Sequence, residues 1–254
     1  LKDAAAFARR FRWPAAGLRF PLVIGHRGAS GHARENTLAS FARASDLGAE
    51  MWELDAQATR DGICVISHDD HLQRVFGIDA HISQLTAAEL SRLPGVEVPT
   101  FAEAAALAHA RGAGLYVEIK EPAAAPFVWQ LLRQKDQRFA ALGSFDAELV
   151  RALRDEGCDF PLAVLVRLGA DPLKEAERAG ADIVHLCWER GGERPQDLVT
   201  PELSAAILES RRQIVLWHEE RPDIIADLVT MPVLGICSDL PERIVAALDK
   251  APTA

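Results

Sequence analysis

Eight short apolar runs, each followed by an amphipathic stretch, recur along the whole chain, and this alternation restricts the fold more than any other feature. The runs are PLVIGH (21–26), MWELD (51–55), GLYVEIK (114–120), RFAALGSF (138–145), PLAVLV (161–166), ADIVHLC (181–187), QIVLWH (213–218) and LGICSD (234–239). Each is brief, apolar and rich enough in β-branched or aromatic residues to be a strand buried on both faces. Helices are expected between them, over 36–47, 100–111, 124–134, 146–156, 172–179, 201–211, 222–230 and 241–249. Asn36, Thr100, Asp146 and the pair Asp171-Pro172 are suited to open helices, and Gly48, Gly112, Gly157 and Gly180 to close them. Eight strand–helix units predict a closed parallel (β/α)8 TIM barrel, an α/β fold. The 254 residues match the roughly 250 such a barrel takes, as one domain over 1–254.

One segment departs from the rhythm. Only Thr59-Arg60-Asp61-Gly62 separates the second strand from the extended run after it. A parallel crossover needs about a dozen residues, so the connection has to be a hairpin. Pairing about Asp61-Gly62 sets Asp55 near Ile66 and folds His68 back over Glu53. Residues 69–99, polar and rich in turns, read as a small insertion that forms a lid or substrate wall.

The formal charge of −9 argues against a nucleic-acid partner, which calls for a basic face. An anionic substrate must therefore be drawn in locally, by a few basic groups or a cation. Cys64, Cys158, Cys187 and Cys237 stand far apart and read as free thiols, which suits a cytoplasmic location. No apolar stretch approaches the ~20 residues of a membrane span, and no signal-peptide pattern is visible. Residues 1–20 read as a helix packed on the barrel, with contact to a membrane surface as the alternative. The oligomer is expected to be a monomer or a homodimer.

The polar residues gather at the C-terminal ends of the strand candidates, where barrel active sites are built. Glu53 and Asp55 share one strand face, and Glu118 stands on the next barrel strand. Carboxylates inside apolar strands are costly unless paired or metal-bound. Three of them meeting at one point repel one another unless a cation lies between, and oxygen donors favour Mg2+ or Ca2+. The plainer reading makes them structural partners of Arg27 and Lys120. A lone His26 at a strand end would be an ordinary core or capping residue, but His68 arriving beside the same carboxylates allows two imidazoles to share the proton work. Arg27 offers a planar fork and Lys120 a point charge for phosphate oxygens. Gly25 and Gly28 are expected to let a ligand approach the backbone. The set reads as displacement at phosphorus.

The strings HRGASGHARENT, WELDAQATRDG, SHDDHLQR and VEIK, with SF at 144–145 and CSDLP at 237–241, resemble the glycerophosphodiester phosphodiesterases nearly motif for motif. That resemblance implies a barrel with an insertion after its second strand. It implies hydrolysis of a small glycerophosphodiester to glycerol 3-phosphate and an alcohol such as choline or ethanolamine. It assigns acid and base roles to His26 and His68, a divalent ion to Glu53, Asp55 and Glu118, and phosphate binding to Arg27 and Lys120. Glu35 of the ENT string is implied near the site. In related phospholipase C-like enzymes the substrate's own hydroxyl attacks phosphorus first. Family members commonly carry W-T-V-N where this chain has Trp217-His218-Glu219-Glu220. Trp217 remains as an apolar wall for the glycerol or alcohol, and the altered residues bear on headgroup preference. Two rivals stand beside this reading: a phospholipase D-like enzyme acting on lysophospholipids, and a catalytically silent barrel that binds phosphate.

Overall fold

A computed structural model describes residues 2–14 and 17–251. The chain runs α1 (Lys2–Arg10), β1 (Leu22–Gly25), α2 (Leu38–Asp46), β2 (Met51–Ala58) and β3 (Cys64–Ile66), then α3 (Gln73–Phe76) and α4 (Ala87–Leu90). It continues with α5 (Phe101–Arg111), β4 (Gly114–Ile119), α6 (Ala125–Gln134), β5 (Ala140–Ser144), α7 (Ala147–Asp155), β6 (Leu162–Arg167) and α8 (Pro172–Ala179). The last elements are β7 (Ile183–Cys187), α9 (Pro201–Glu209), β8 (Gln213–His218), α10 (Pro222–Leu228), β9 (Gly235–Ser238) and α11 (Pro241–Lys250). Strands β1, β2 and β4–β9 are hydrogen-bonded in parallel, and β1 pairs with both β9 and β2, closing an eight-stranded barrel. All eight predicted strands and their helices are present, α1 forms within the N-terminal segment expected to be helical, and α3 and α4 are additional.

Strand alternation divides the apolar residues into two cores. Trp52, Leu54, Val117, Leu142, Val164 and Ile236 face outward under the helices. Leu22, Ile24, Met51, Tyr116, Ala141, Ile183 and Val215 face the barrel axis. The second core also takes in Ala4, Phe7, Ala8 and Trp13, so α1 and the residue turn after it close the N-terminal mouth. Trp13 packs edge-on against Phe7 and Phe139 and donates Nε1–H to the Ala140 carbonyl at 3.2 Å. The N-terminal segment thus packs on the barrel, as expected; residues 1, 15 and 16 lie outside the described residues. No helix of the described residues is long and apolar enough to cross a membrane. All four cysteines are free.

Helix ends follow local chemistry. Thr100 caps α5 in a reciprocal box with Glu103, Asp146 and Asp171 cap α7 and α8, and Gly112 and Gly180 close α5 and α8 in the left-handed region. Asn36 is a correction. Thr37 caps α2, accepting from the Ser40 amide, while Asn36 has φ +58° and turns its side chain to Asp55.

The hairpin also forms, with its register one residue from the expected one. Ala56 faces Ile66, Gln57 faces Val65, and Ala58 faces Cys64. The loop holds three residues, Arg60-Asp61-Gly62, with Gly62 at φ +78°. This is the longer hairpin turn in which a glycine in the left-handed region adds one residue to the two-residue count. The ladder stops at Ile66, and the Ser67 amide bonds the Asp55 carbonyl. Residues 69–99 wrap a small core of Val65, Leu72, Ile82 and Leu90.

Replacing Trp13 with alanine empties the closure of the N-terminal mouth. The expected loss is about 3–5 kcal/mol of folding stability, read by urea unfolding; a loss below about 1 kcal/mol, the scale of ordinary surface substitutions, would mean that the plug is not part of the core.

Candidate active site

Inward-facing residues of β2 and β4 bring the three acids together. Parallel pairing puts Asp55 directly opposite Glu118 and Glu53 opposite Tyr116. Glu53, Asp55 and Glu118 are all buried, and one ligand oxygen from each lies within 4.8 Å of the others. Burial, then the charge of Asp55, pushes Glu53 well above the usual carboxylate range. The same two causes push Glu118 up to about 7, against the opposing charge of Lys120. Burial works against ionisation of Asp55 too, but Lys120 and Arg27 outweigh it and hold its carboxyl at about 2.

Both basic residues lean on this cluster. Lys120 Nζ lies 2.6 Å from Glu118 Oε1 and 3.1 Å from Asp55 Oδ1. Arg27 Nε lies 3.4 Å from Asp55 Oδ2, and its Nη1 donates to Glu35 Oε1 at 2.9 Å. Two cations therefore face three buried carboxylates, and one of the two is shared with a fourth. Buried Asp55 Oδ1 accepts no well-directed hydrogen bond despite the nearby ammonium. An all-oxygen donor set whose members resist ionising together, with an under-satisfied buried oxygen, fits a hard divalent cation.

The loop from β1 to α2 is bent to serve the same point. Arg27 sits at φ +51°, a strained conformation for a side-chain-bearing residue. It is held there because its amide donates to Glu53 Oε2 at 2.9 Å, while its carbonyl accepts from the Asn36 amide and the Ser40 hydroxyl. Gly25 and Gly28 serve this bend and not ligand approach, contrary to expectation. A Cβ on Gly25 would come within 2.6 Å of the Gly28 carbonyl oxygen, and one on Gly28 within 2.4 Å of Ser40 Oγ.

Two imidazoles face the cluster, each oriented by its own carboxylate. His26 Nδ1 is 2.6 Å from Asp239 Oδ1, which also accepts from the Ser30 hydroxyl at 2.7 Å, and His26 Nε2 is 4.0 Å from Glu53 Oε2. His68 Nδ1 is 2.6 Å from Asp69 Oδ1. Burial lowers the pKa of His26, against the opposing bond to Asp239. Despite the shifted register, His68 reaches the site because pairing has ended before it. His26, Arg27, Glu53, His68 and Glu118 line one cavity of about 260 Å³ with Phe145, His185, Trp217 and His218.

Other expectations change. Glu35 does not line the cavity; it ties Arg27 to Arg74, accepting from that guanidinium at 2.7 and 2.8 Å. Lys120 lines a neighbouring cleft with Ser144 and Arg167. Trp217 lines the cavity while nearly all of its surface is buried. Residues 69–99 contribute no lining residue to the cavity, so the lid or wall is replaced by a brace. Arg74 of α3 bonds Asp69 at 2.5 Å and Glu35, linking the partner of His68 to the partner of Arg27. Asp239, Asp69, Arg74 and Asn36 were not singled out for these roles. The motif strings contained all four, but a residue that acts on another side chain has no periodicity of its own.

The Glu118 shift carries a sign. Its folded-state pKa of about 7 lies above the ordinary 4.5, so the folded protein holds a proton that the unfolded chain releases across that window. Stability from this group is present below about pH 4.5 and is lost as pH rises towards 7. Without divalent ions, Glu118→Gln is expected to melt higher than the parent at pH 8 and no higher at pH 4. Added Mg2+ or Ca2+ should raise the parent's melting temperature, by linkage, much more than the variant's. Equal responses to the ion in both proteins would exclude Glu118 as a ligand. Arg74→Ala, by freeing Asp69 and Glu35, is expected to lower kcat by about tenfold, less than loss of a proton-transfer group, in steady-state assays.

Comparisons with known proteins agree with this geometry. A glycerophosphodiester phosphodiesterase of Caldanaerobacter subterraneus is 26% identical over 246 residues, covering 90% of this chain and 98% of that protein. The human lysophospholipase D GDPD1 is 45% identical over 67 residues, 26% of this chain and 21% of that protein. A glycerophosphodiester phosphodiesterase from Thermotoga maritima, solved as a crystal structure, superposes with a TM-score of 0.75 at 25% identity, covering 90% of this chain and 99% of that one. The model of the glycerophosphoryl diester phosphodiesterase family matches residues 26–243, from the first site histidine to α11, and the chain belongs to that family.

Proposed function

We propose that the protein hydrolyses glycerophosphodiesters to glycerol 3-phosphate and an alcohol, with a divalent cation on Glu53, Asp55 and Glu118 and with His26 and His68 dividing the proton transfers. The observation that carries this reading is the pair of histidine–carboxylate dyads facing one cavity beside the acid trio. In each dyad the carboxylate occupies Nδ1, which leaves Nε2 as the nitrogen free to exchange a proton with substrate.

The residues divide the work as follows. His26, kept neutral by burial, takes the proton of the attacking oxygen at Nε2. A new P–O bond forms, the P–O bond to the alcohol breaks, and His68 passes a proton to the departing oxygen. Arg27 and Lys120 are placed to meet the non-bridging phosphate oxygens. When bound, the cation would supply charge stabilisation for oxygen at phosphorus. The balance is the same whether water attacks directly or a glycerol hydroxyl first closes a cyclic phosphate that water then opens. A cyclic phosphate resonance in phosphorus NMR during turnover marks the second route, and its absence marks the first.

The short match to a lysophospholipase D favours lysophospholipids as a second substrate class. Micellar lysophospholipid assayed beside glycerophosphocholine separates the two. His26→Ala and His68→Ala are each expected to reduce cleavage by about 10²–10⁴-fold, and chelation to abolish it reversibly. Cleavage that survives both substitutions would overturn the mechanism, and a parent protein inert towards every diester would leave the silent barrel.

A further inference from the structure

His218 is one of the residues by which this chain departs from the W-T-V-N pattern, and the structure places it against His26. The rings stack with centroids 4.4 Å apart and planes 6° from parallel. A bulge brings it there. Leu216 pairs with Ile236 and His218 with Cys237, so Trp217 is an extra residue in β8. Val215 faces the barrel axis, and simple alternation would turn His218 outward; the extra residue restores it to the cavity wall. Bulges re-aim side chains in this way beside functional sites.

Neither of the other two departures lines the cavity, and Glu220 bears on the same contact. Glu219 is buried, accepting from Arg221 Nη2 at 2.6 Å and Trp217 Nε1 at 3.3 Å. Glu220 accepts from the Asp239 amide at 2.9 Å, and its other oxygen lies 3.6 Å from His218 Nδ1. Burial opposes a charge on His218, but Glu220 and Asp239 outweigh it and raise its pKa. His26 is thereby bracketed: Asp239 holds its Nδ1 edge, Glu220 fixes the backbone of Asp239, and His218 covers one face.

His26, His218 and Asp239 also offer three ligand atoms within 4.8 Å, which invites a second metal site. The geometry opposes it. Imidazole lone pairs lie in the ring plane, so two nearly parallel rings cannot direct theirs at one ion. Asp239 Oδ1 is already taken by His26 and Ser30.

We propose that His218 is a positioning residue for the phosphodiesterase reaction, its ring stacked on His26 so that the imidazole keeps the orientation in which Nε2 faces the acid trio and the substrate phosphate. The inference rests on the function proposed above. Removing the stack frees the ring to rotate away from Asp239, and a displacement of about 1 Å at a reacting group can cost about 100-fold in rate. A positioning defect appears in kcat with KM little changed.

The test uses His218→Ala and His218→Phe, with His218→Thr in place of alanine if that variant does not fold. Two readouts are taken: kcat and KM on glycerophosphocholine, and the low-field proton signal of the His26 Nδ1–H bonded to Asp239. In the alanine variant kcat is expected to fall about 10- to 100-fold with KM nearly unchanged, and the Nδ1–H signal to be lost to exchange. Phenylalanine, flat and able to stack, should recover most of both. An unchanged kcat, or a fall in kcat with the Nδ1–H signal intact, overturns the proposal. A parent protein that cleaves no glycerophosphodiester would defeat the underlying reading instead, and the Nδ1–H signal alone would then decide whether the stack orients His26.

Discussion

Three carboxylates converge where the barrel leaves them little water, and their mutual repulsion sets the terms for everything around them. In such surroundings a buried carboxylate either takes a proton, finds a cation or destabilises the fold. The first two responses occur together. Glu53 and Glu118 are shifted towards the protonated form, Asp55 is kept ionised by Lys120 and Arg27, and Asn36 donates to its second oxygen at 2.8 Å. The strained bend at Arg27 belongs to the same balance, since it is what aims a backbone amide at Glu53. Replacing buried charged groups with well-packed hydrophobic residues is often neutral or stabilising, so stability alone does not account for an acid cluster that could hold a cation.

The two histidines reach that point from neighbouring strands of the barrel, β1 and the hairpin arm of β2. His26 comes from the end of β1 and is steadied by the end of β9 through Asp239. His68 comes from beyond the hairpin arm and is steadied by Asp69, which Arg74 grips in turn. Arg74 also holds Glu35, and Glu35 holds Arg27. The insertion therefore acts on the site without entering it. It fixes His68 and Arg27 through a single arginine, so displacement of α3 would disturb both together.

How much of this could be read from the sequence depended on whether a residue carries its own periodicity. Buried parallel strands are legible because both of their faces are apolar, and a carboxylate within such a run stands out; Glu53, Asp55 and Glu118 were marked for that reason and do meet. Thr100, Asp146 and Asp171 were legible as caps because capping is a contact within a few residues. The hairpin register slipped by one because nothing in Asp61-Gly62 states that Arg60 belongs to the loop as well. The role of Asn36 is hidden in the sequence for a related reason. An asparagine before a helix is an ordinary cap, and only the approach of Asp55, 19 residues away in the chain, gives it other work. The bulge at Trp217 was equally hidden, since it depends on how β8 meets β9. Long-range pairing decides such cases, and a single sequence does not display it.

The acidity of the chain sharpens what the site has to accomplish. With a formal charge of −9, the protein offers a phosphodiester no general attraction. Arg190 also lines the cavity, but Arg27 and Lys120 are the cations beside the trio, and both are occupied with it and cannot neutralise carboxylates and grip phosphate oxygens equally well. On the proposed reading these demands compete only while the carboxylates lack a metal ion. With a divalent cation on the acid trio, Arg27 and Lys120 would be released from the carboxylates and free to turn towards the substrate. Substrate affinity should then depend on the cation more steeply than charge stabilisation at the reacting phosphorus alone would require. That dependence follows from having placed both basic groups within reach of the same acids.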